Sequence, residues 1–468
     1  MLLKFSIAVL AAVSFSGLAF ARGVHSSRTT VEGPITGGSR GHPFGAWVGD
    51  ISDIGYVEEE YFISGDAVRY SVIGNLTIDG HWTLTVNDTA SYKTRILVRR
   101  PINRKHFNGE VIVEWINVSG GYDIMISDGP GVYEAGYAFV GVSAQFVGLI
   151  GYEPDPIGLT EWDPERYGSL SIPDDALSYD IFTQAAQVLR EGKILGSVKP
   201  KHIIATGESQ SGIRVLAYAN GVQPLTNAFD AIIPVIAAGN SADFSSAPAK
   251  PNADPNQHSR SVPSKIRTDL KIPVFELSTE TEGLTYYLEG IRQPDTRKFR
   301  YWEIAGGSHA NTPLLAKIAA YTARDEVPNS PSTDPNIDSV SWLPVLDSVY
   351  RHVSKWIART AEPPKMPKFT INSTGTALAR DANGNIIGGV RLPELTVPIA
   401  TYQGNPLNLL GSQVPFTADK LRELYHTHFD YVLKVTAAES LAVAQGIILP
   451  YRIPQYIQNA TTANVPPA

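Results

Sequence analysis

The sequence contains no cysteine among its 468 residues. Disulfides, thiolate nucleophiles, thiolate metal sites and lipid attachment at a cysteine are therefore excluded, and stability has to come from the apolar core. Dense lysine or arginine runs are also absent, and the net charge is −7. A chain without a basic stripe cannot neutralise many phosphates, so we expect no nucleic-acid partner.

Long apolar runs are scarce, and the strongest one lies at the start of the chain. Lys4 precedes an apolar run over residues 5–12, and Ala19-Phe20-Ala21 supplies a small-x-small pattern. This arrangement predicts a signal peptide over residues 1–21, and hence a secreted or periplasmic protein with no membrane span in the mature chain. The alternative is a retained N-terminal membrane helix, but the run is shorter than the ~20 residues that a span needs.

Changes in composition divide the rest of the chain. Residues 22–44 are rich in glycine, proline and serine, which is typical of a flexible arm. Residues 56–85 alternate apolar and polar side chains and predict antiparallel strands. We expect one core domain over residues 45–360 and a C-terminal subdomain over residues 361–468 that packs on the core.

The middle of the chain alternates short apolar runs with helical patterns. Continuous apolar runs are typical of strands buried on both faces, and the helical spacing of residues 175–190 and 211–218 falls between them. The alternation predicts an α/β fold with a mostly parallel central sheet and helices on both faces. Two further helices are predicted over residues 418–433 and 437–444. The apolar runs cover residues 95–98, 111–116, 137–142, 202–205, 231–236, 273–277 and 299–304.

One serine lies between a predicted strand and a predicted helix. In Gly207-Glu208-Ser209-Gln210-Ser211, small residues flank Ser209 at two positions on either side, as a sharp strand-to-helix turn requires. Ser209 is therefore the predicted nucleophile, and the alternative is an ordinary serine at a helix start. Residues 37–41 fit Gly-x-Ser-x-Gly more closely, but no strand precedes them and no helix follows.

A serine hydroxyl needs a general base, and the base needs a carboxylate that orients it. His309 lies in the loop directly after the apolar run 299–304 and is the predicted base, although a structural loop histidine would fit the same place. In an α/β-hydrolase the acid precedes the histidine in sequence. Residues 278–283 offer Glu280 and Glu282, and the count from the strand end favours Glu282.

Backbone N–H groups must stabilise the oxyanion that forms during acyl transfer. Gln210 follows the nucleophile and supplies one N–H. The second donor is expected in the glycine-rich loop 117–121, where we name Ser119, with Val118 as the alternative. This chemistry calls for no metal and no cofactor. Asn-x-Ser/Thr sites, which would carry glycans in a eukaryotic secretory pathway, begin at Asn75, Asn87, Asn117, Asn372 and Asn459.

The chain resembles a family of secreted proteins known as alpha/beta hydrolase domain-containing proteins. The resemblance spans roughly residues 45–450 and rests on the turn at Ser209 together with YFISGDA (61–67), VEWINVSGG (113–121), DPERYGSL (163–170), AGGSH (305–309) and GGVRLP (388–393). It implies the α/β-hydrolase fold and a Ser209–His309–Glu282 triad.

The expected function is hydrolysis of small-molecule carboxylic esters or lactones. An acyltransferase or a peptidase would use the same residues, and a non-catalytic binding protein could keep the fold. Residues 152–173, which include Trp162 and Tyr167, either line the substrate pocket or form a surface loop anchored by aromatic rings.

Overall fold

A computed structural model describes residues 29–196, 198–237, 239–244, 262–328, 334–405 and 407–467. The predicted signal peptide and the first residues of the predicted arm lie outside the described residues. The described strands are β1 (Thr30–Glu32), β2 (Tyr56–Ile73), β3 (Thr83–Pro101), β4 (Glu110–Trp115), β5 (Ala138–Val142), β6 (His202–Glu208), β7 (Ala231–Val235), β8 (Asn240–Ser241), β9 (Val262–Pro263), β10 (Val274–Thr279), β11 (Phe299–Ile304), β12 (Ala400–Asn405) and β13 (Asn408–Pro415).

The described helices are mostly short. Among them, none combines the length with the apolar character that crossing a membrane would take. They are α1 (Pro130–Glu134), α2 (Phe146–Ile150), α3 (Leu159–Trp162), α4 (Pro164–Tyr167), α5 (Ser178–Glu191), α6 (Gln210–Ala217), α7 (Gln223–Thr226), α8 (Glu280–Leu288), α9 (Thr312–Arg324), α10 (Leu343–Ile357), α11 (Pro393–Thr396), α12 (Ala418–Leu424), α13 (His428–Ala444) and α14 (Ile453–Thr462).

A central sheet organises the core. Its described strands follow the order β1-β2-β3-β5-β4-β6-β7-β10-β11. In this order, neighbouring strands pair antiparallel from β1 through β3 to β5. From β5 through β4 to β11, every neighbouring pair is parallel. All residues of β4, β7, β10 and β11 are buried, as is typical of parallel strands covered on both faces. The predicted mostly parallel sheet with antiparallel N-terminal strands is confirmed.

The direction in which the chain crosses the sheet places helices on both of its faces. From β4 the chain passes through α1 to β5, toward the β1 edge, whereas from β6 it passes through α6 to β7, toward the β11 edge. Parallel crossovers are almost always right-handed, so two crossovers in opposite directions put their helices on opposite faces. The carboxyl ends of the parallel strands consequently meet at one edge, where the loops that carry Ser209 and His309 begin.

The C-terminal residues pack directly on this edge. Val390 lies beside the end of β11, and its carbonyl accepts the Ala305 N–H at 2.9 Å. The β12–β13 hairpin reaches the His309 loop, where the Ala310 N–H donates to Leu409 O at 2.8 Å. The helices predicted over residues 418–433 and 437–444 have the wrong bounds, because the first helix ends at Leu424 and a single second helix runs from His428 to Ala444. Thr427 caps the new helix by accepting the Asp430 N–H.

The described part of the predicted arm is bound to the core. Thr30–Glu32 pairs with β2, and the Asp163 carboxylate accepts the N–H groups of Ser39 and Arg40 at 3.1 and 3.0 Å. Arg166 donates to Ile35 O at 3.1 Å. Phe44 is also fully buried in the core, and Val31 and Ile35 pack against it. These contacts involve few apolar residues, so the composition of the segment indicated a flexible arm.

Candidate active site

Ser209 occupies a strained turn between β6 and α6. Its backbone angles are φ 56° and ψ −119°, a conformation that non-glycine residues rarely adopt. A Cβ at Gly207 would lie 2.9 Å from Ser211 O, and one at Gly212 would lie 2.6 Å from Val235 O. The small residues around the serine are therefore required by the close packing of the turn, which pushes the Ser209 side chain outward.

The imidazole of His309 lies between Ser209 and Glu282. Its Nε2 is 2.8 Å from Ser209 Oγ, and its Nδ1 is 2.7 Å from Glu282 Oε1. The backbone of the histidine is fixed on both sides, because its N–H donates to Thr281 Oγ1 and its carbonyl accepts the Trp342 indole N–H. The three side chains form a continuous serine–imidazole–carboxylate chain.

Glu282 combines two roles at the start of α8. One carboxylate oxygen faces His309, while the other accepts the N–H and the hydroxyl of Thr279 at 2.8 and 2.6 Å in a capping box. Burial would raise the pKa of Glu282, but the hydrogen bonds from His309 and Thr279 outweigh it and hold the pKa below its usual value. The group is therefore an ionised carboxylate with both oxygens fixed.

Glu280 lies in the same helical turn but faces a different partner. Its carboxylate forms an ion pair with Arg380 and accepts the Gly306 N–H at 3.2 Å. Burial raises the pKa of Glu280 to about 7 despite the Arg380 guanidinium. The structure thus brings Ser209, His309 and Glu282 together and directs Glu280 toward the C-terminal residues.

The loop after β4 lies against the serine turn through Asn117. The Asn117 amide donates to Glu208 O at 2.8 Å, and its oxygen accepts the Ser119 N–H at 2.8 Å. The Ser119 N–H, named above as an oxyanion donor, is therefore engaged within its own loop. The N–H of Val118 donates to no oxygen of the described residues, and Gln210 presents its N–H at the start of α6.

A pair of buried glutamates beneath the serine turn was missed by sequence reasoning. Glu114 and Glu208 lie at the ends of neighbouring strands, both fully buried, and the Glu114 carboxylate accepts the Ile126 N–H at 2.8 Å. Burial raises the pKa of Glu114 to about 7, and burial together with repulsion from Glu114 raises the pKa of Glu208 well above its usual value. A glutamate at the carboxyl end of each of two mostly apolar runs is the signal that would have indicated the pair.

Trp162 and Tyr167 of segment 152–173 form hydrogen bonds to distant parts of the chain. Trp162 donates to Asp325 O at 2.7 Å, and the Tyr167 hydroxyl donates to Glu60 at 2.8 Å while accepting the Phe44 N–H at 3.0 Å. Both rings are buried. Their contacts favour the interpretation of this segment as a loop with aromatic anchors over its interpretation as the pocket wall.

The fold and the serine turn define the class of protein, an α/β-hydrolase. Residues 31–458 match the model of a family described as alpha/beta hydrolase domain, so this protein belongs to that family. A search of curated proteins finds no match.

Solved structures with similar folds include several esterases. A carboxylesterase from Lactobacillus plantarum is 13% identical, with 62% of this chain and 97% of that chain covered and a TM-score of 0.32. Fungal esterases from Rhizomucor miehei are 10% identical, with 65% and 85% covered and a TM-score of 0.31. A serine hydrolase without a lid from Xanthomonas campestris is 12% identical, with 56% and 97% covered and a TM-score of 0.28.

Proposed function

We propose that this protein is a serine hydrolase that cleaves carboxylic esters or lactones through an acyl-enzyme. The observation that carries the proposal is the position of His309, with Nε2 2.8 Å from Ser209 Oγ and Nδ1 2.7 Å from Glu282 Oε1. These are the contacts that a nucleophile, a general base and an orienting acid require. The resemblance to secreted hydrolases and the predicted signal peptide support a site of action outside the cytoplasm.

The first half of the reaction forms the acyl-enzyme. Ser209 Oγ attacks the carbonyl carbon while His309 Nε2 takes the hydroxyl proton. Ionised Glu282 keeps the remaining ring proton on Nδ1 and stabilises the imidazolium that forms. His309 then gives the proton to the leaving alcohol oxygen as the bond between the carbonyl carbon and that oxygen breaks. Water attacks the acyl-enzyme in the second half, and the same histidine serves again as the base.

The oxyanion formed at each step needs two N–H donors that already point at it. We assign these to Gln210 and Val118, because the Ser119 N–H is held by Asn117. The Asn117 side chain connects the two loops that supply these donors. Its amide donates to Glu208 O, next to the nucleophile, and its oxygen accepts the Ser119 N–H, next to Val118. Asn117 is thus proposed as a positioning residue, and its burial and paired amide make it a poor glycan acceptor.

The proposed activity is tested on the purified protein with a fluorophosphonate probe and with ester and lactone panels of varied acyl length. Ser209 should be the labelled residue, and the panels should identify the preferred acyl group. Amide substrates and added alcohol acceptors, run in parallel, separate a hydrolase from a peptidase or an acyltransferase. A protein that neither reacts with the probe nor turns over any panel member would be a binding protein that keeps the fold.

A further inference from the structure

A cavity lies away from the proposed catalytic residues. It has a volume of about 510 Å³, and neither Ser209, Glu282 nor His309 lines it. The cavity opens between α1, the start of α10 and the residues around Tyr451, and its volume lies within the ~300–1,000 Å³ typical of small-molecule sites. Its apolar wall includes Trp47, Pro130, Tyr133, Leu343, Pro344 and Tyr451.

One carboxyl group in the wall of this cavity has an oxygen without a hydrogen bond. Asp347 is only 3% exposed, and its Oδ2 accepts the Gly131 N–H at 3.2 Å and the Tyr451 hydroxyl. Its Oδ1 accepts no hydrogen bond from any residue that the structure describes. Because Asp347 lines the cavity, this oxygen is open to a hydrogen bond from a ligand bound there.

Two glycines keep this carboxyl group in the wall. A Cβ at Gly129, which also lines the cavity, would lie 2.4 Å from Asp347 Oδ1. A Cβ at Gly131 would lie 3.0 Å from the Asp347 Cβ and Cγ atoms. Any other residue at position 129 would displace the carboxyl group, so the backbone here leaves room specifically for the Asp347 side chain.

The charges around the cavity are mixed. Lys317 pairs with Asp128 at 2.7 Å, and Glu134 and Arg452 line the same cavity. Burial raises the pKa of Asp347 to about 6, against the lowering effects of the Tyr451 and Gly131 hydrogen bonds and of Lys317. An ionic ligand of either sign would meet like charge in the wall, which favours an uncharged ligand.

We propose that this cavity binds an uncharged aromatic alcohol whose hydroxyl group bonds to Asp347 Oδ1. A hydroxyl group can donate to a carboxylate and can accept from a carboxylic acid, so it complements Asp347 in either protonation state. The ring packs among aromatic side chains, of which Trp47 and Tyr133 already form an edge-to-face pair with centroids 5.2 Å apart. This site does not depend on the proposed ester hydrolysis.

Calorimetric titration of the full-length protein at pH 8 with 4-methylphenol and 4-methylanisole tests the proposal. The two probes have almost the same apolar body, but only the phenol has a hydroxyl donor. At pH 8 Asp347 is ionised and can only accept, so the phenol should bind at least ~10-fold more tightly. Equal affinities, or no binding of the phenol, would overturn the proposal.

Two variants locate the binding. In Asp347→Asn, the Gly131 N–H and the Tyr451 hydroxyl hold the amide oxygen, so the amide NH₂ faces the cavity and donates to phenol and ether alike. The preference for the phenol should then disappear. Leu343→Trp should fill the cavity and abolish binding of both probes, whereas the exposed control Leu225→Trp should not affect it. Retained phenol preference in Asp347→Asn, or undiminished binding in Leu343→Trp, would place the ligand elsewhere.

Discussion

Two segments of this chain have a serine with a small residue two positions before it and another two positions after it. Their structures are entirely different. In residues 37–41 the Ser39 hydroxyl and N–H donate to Asp163, at 3.0 and 3.1 Å, and no regular element flanks the serine. In residues 207–211 a buried strand and a helix force Ser209 to φ 56°, and its hydroxyl lies 2.8 Å from His309. The flanking elements, and not the pattern itself, make a serine a candidate nucleophile.

The same contrast recurs within one helical turn. Glu280 and Glu282 are two residues apart at the start of α8, yet one bonds to Arg380 and the other to His309. Side chains two positions apart on a helix point in different directions, so they face different partners. Variants of such matched pairs therefore separate the effect of residue type from the effect of structural context.

The largest expected difference is between the two serines. Ser209→Ala should lower kcat/KM for an ester substrate by about 10⁴-fold or more, because it removes the nucleophile without removing core volume. Ser39→Ala should keep near-normal kcat/KM and lose only the hydrogen bond to Asp163. Thermal unfolding checks that both variants fold. Substantial turnover by Ser209→Ala would show that another residue is the nucleophile.

The two glutamates should differ next most. Glu282→Gln should lower kcat by about two to four orders of magnitude, because an amide no longer holds the correct histidine tautomer or stabilises the imidazolium. Glu280→Gln should change kcat by less than ~10-fold, since its partner is Arg380. Steady-state kinetics of both variants on one ester make the comparison. A reversed order would assign the acid role to Glu280, and near-normal rates in both would place the acid outside this turn.

The sequence was sufficient for the features that depend on local pattern. The central strands were predicted from short apolar runs, and Ser209 and His309 were chosen because they lie in the turn and the loop that follow two of these runs. Contacts between distant segments could not be predicted, because they leave no pattern in the local sequence. The Asn117 side chain bonds a residue 91 positions away, and Asp163 holds an arm 123 positions away. The proposed catalytic roles stay predictions until the variants are measured.

A variant of Asn117 tests whether the loop after β4 and the serine turn position the two oxyanion donors together. Asn117→Ala removes the bond to Glu208 O and frees the Ser119 N–H, so the donors at Val118 and Gln210 should lose their relative position. We expect kcat to fall ~10- to 100-fold with KM changed less than ~3-fold, because misplaced donors weaken transition-state stabilisation more than substrate binding. A boronic acid inhibitor that mimics the tetrahedral intermediate should bind correspondingly less tightly.

The matched control is Asn87→Ala, which changes an exposed asparagine in the same kind of Asn-x-Ser/Thr sequence. It should leave kcat, KM and inhibitor binding unchanged. A purely structural role for Asn117 would lower the melting temperature while kcat and inhibitor affinity stay near the wild-type values. That result would remove Asn117 from the proposed oxyanion hole without affecting the assignment of Ser209.

The smallest effect is expected from the buried glutamate pair, and it concerns stability. The pKa values of Glu114 and Glu208 are raised in the folded protein, whereas an unfolded chain keeps values near 4.5. The folded state therefore binds more protons, and its stability falls as the pH rises above about 4.5 toward the raised values. Glu208→Gln replaces one of the two carboxyl groups by a neutral amide of nearly the same shape. Between pH 5 and pH 8 the melting temperature of the wild type should then fall further than that of the variant, by about 1–3 °C in a chain of this size.

The exposed control Glu423→Gln should show the wild-type pH dependence. Identical pH profiles for Glu208→Gln and the wild type would mean that the two carboxyl groups titrate normally.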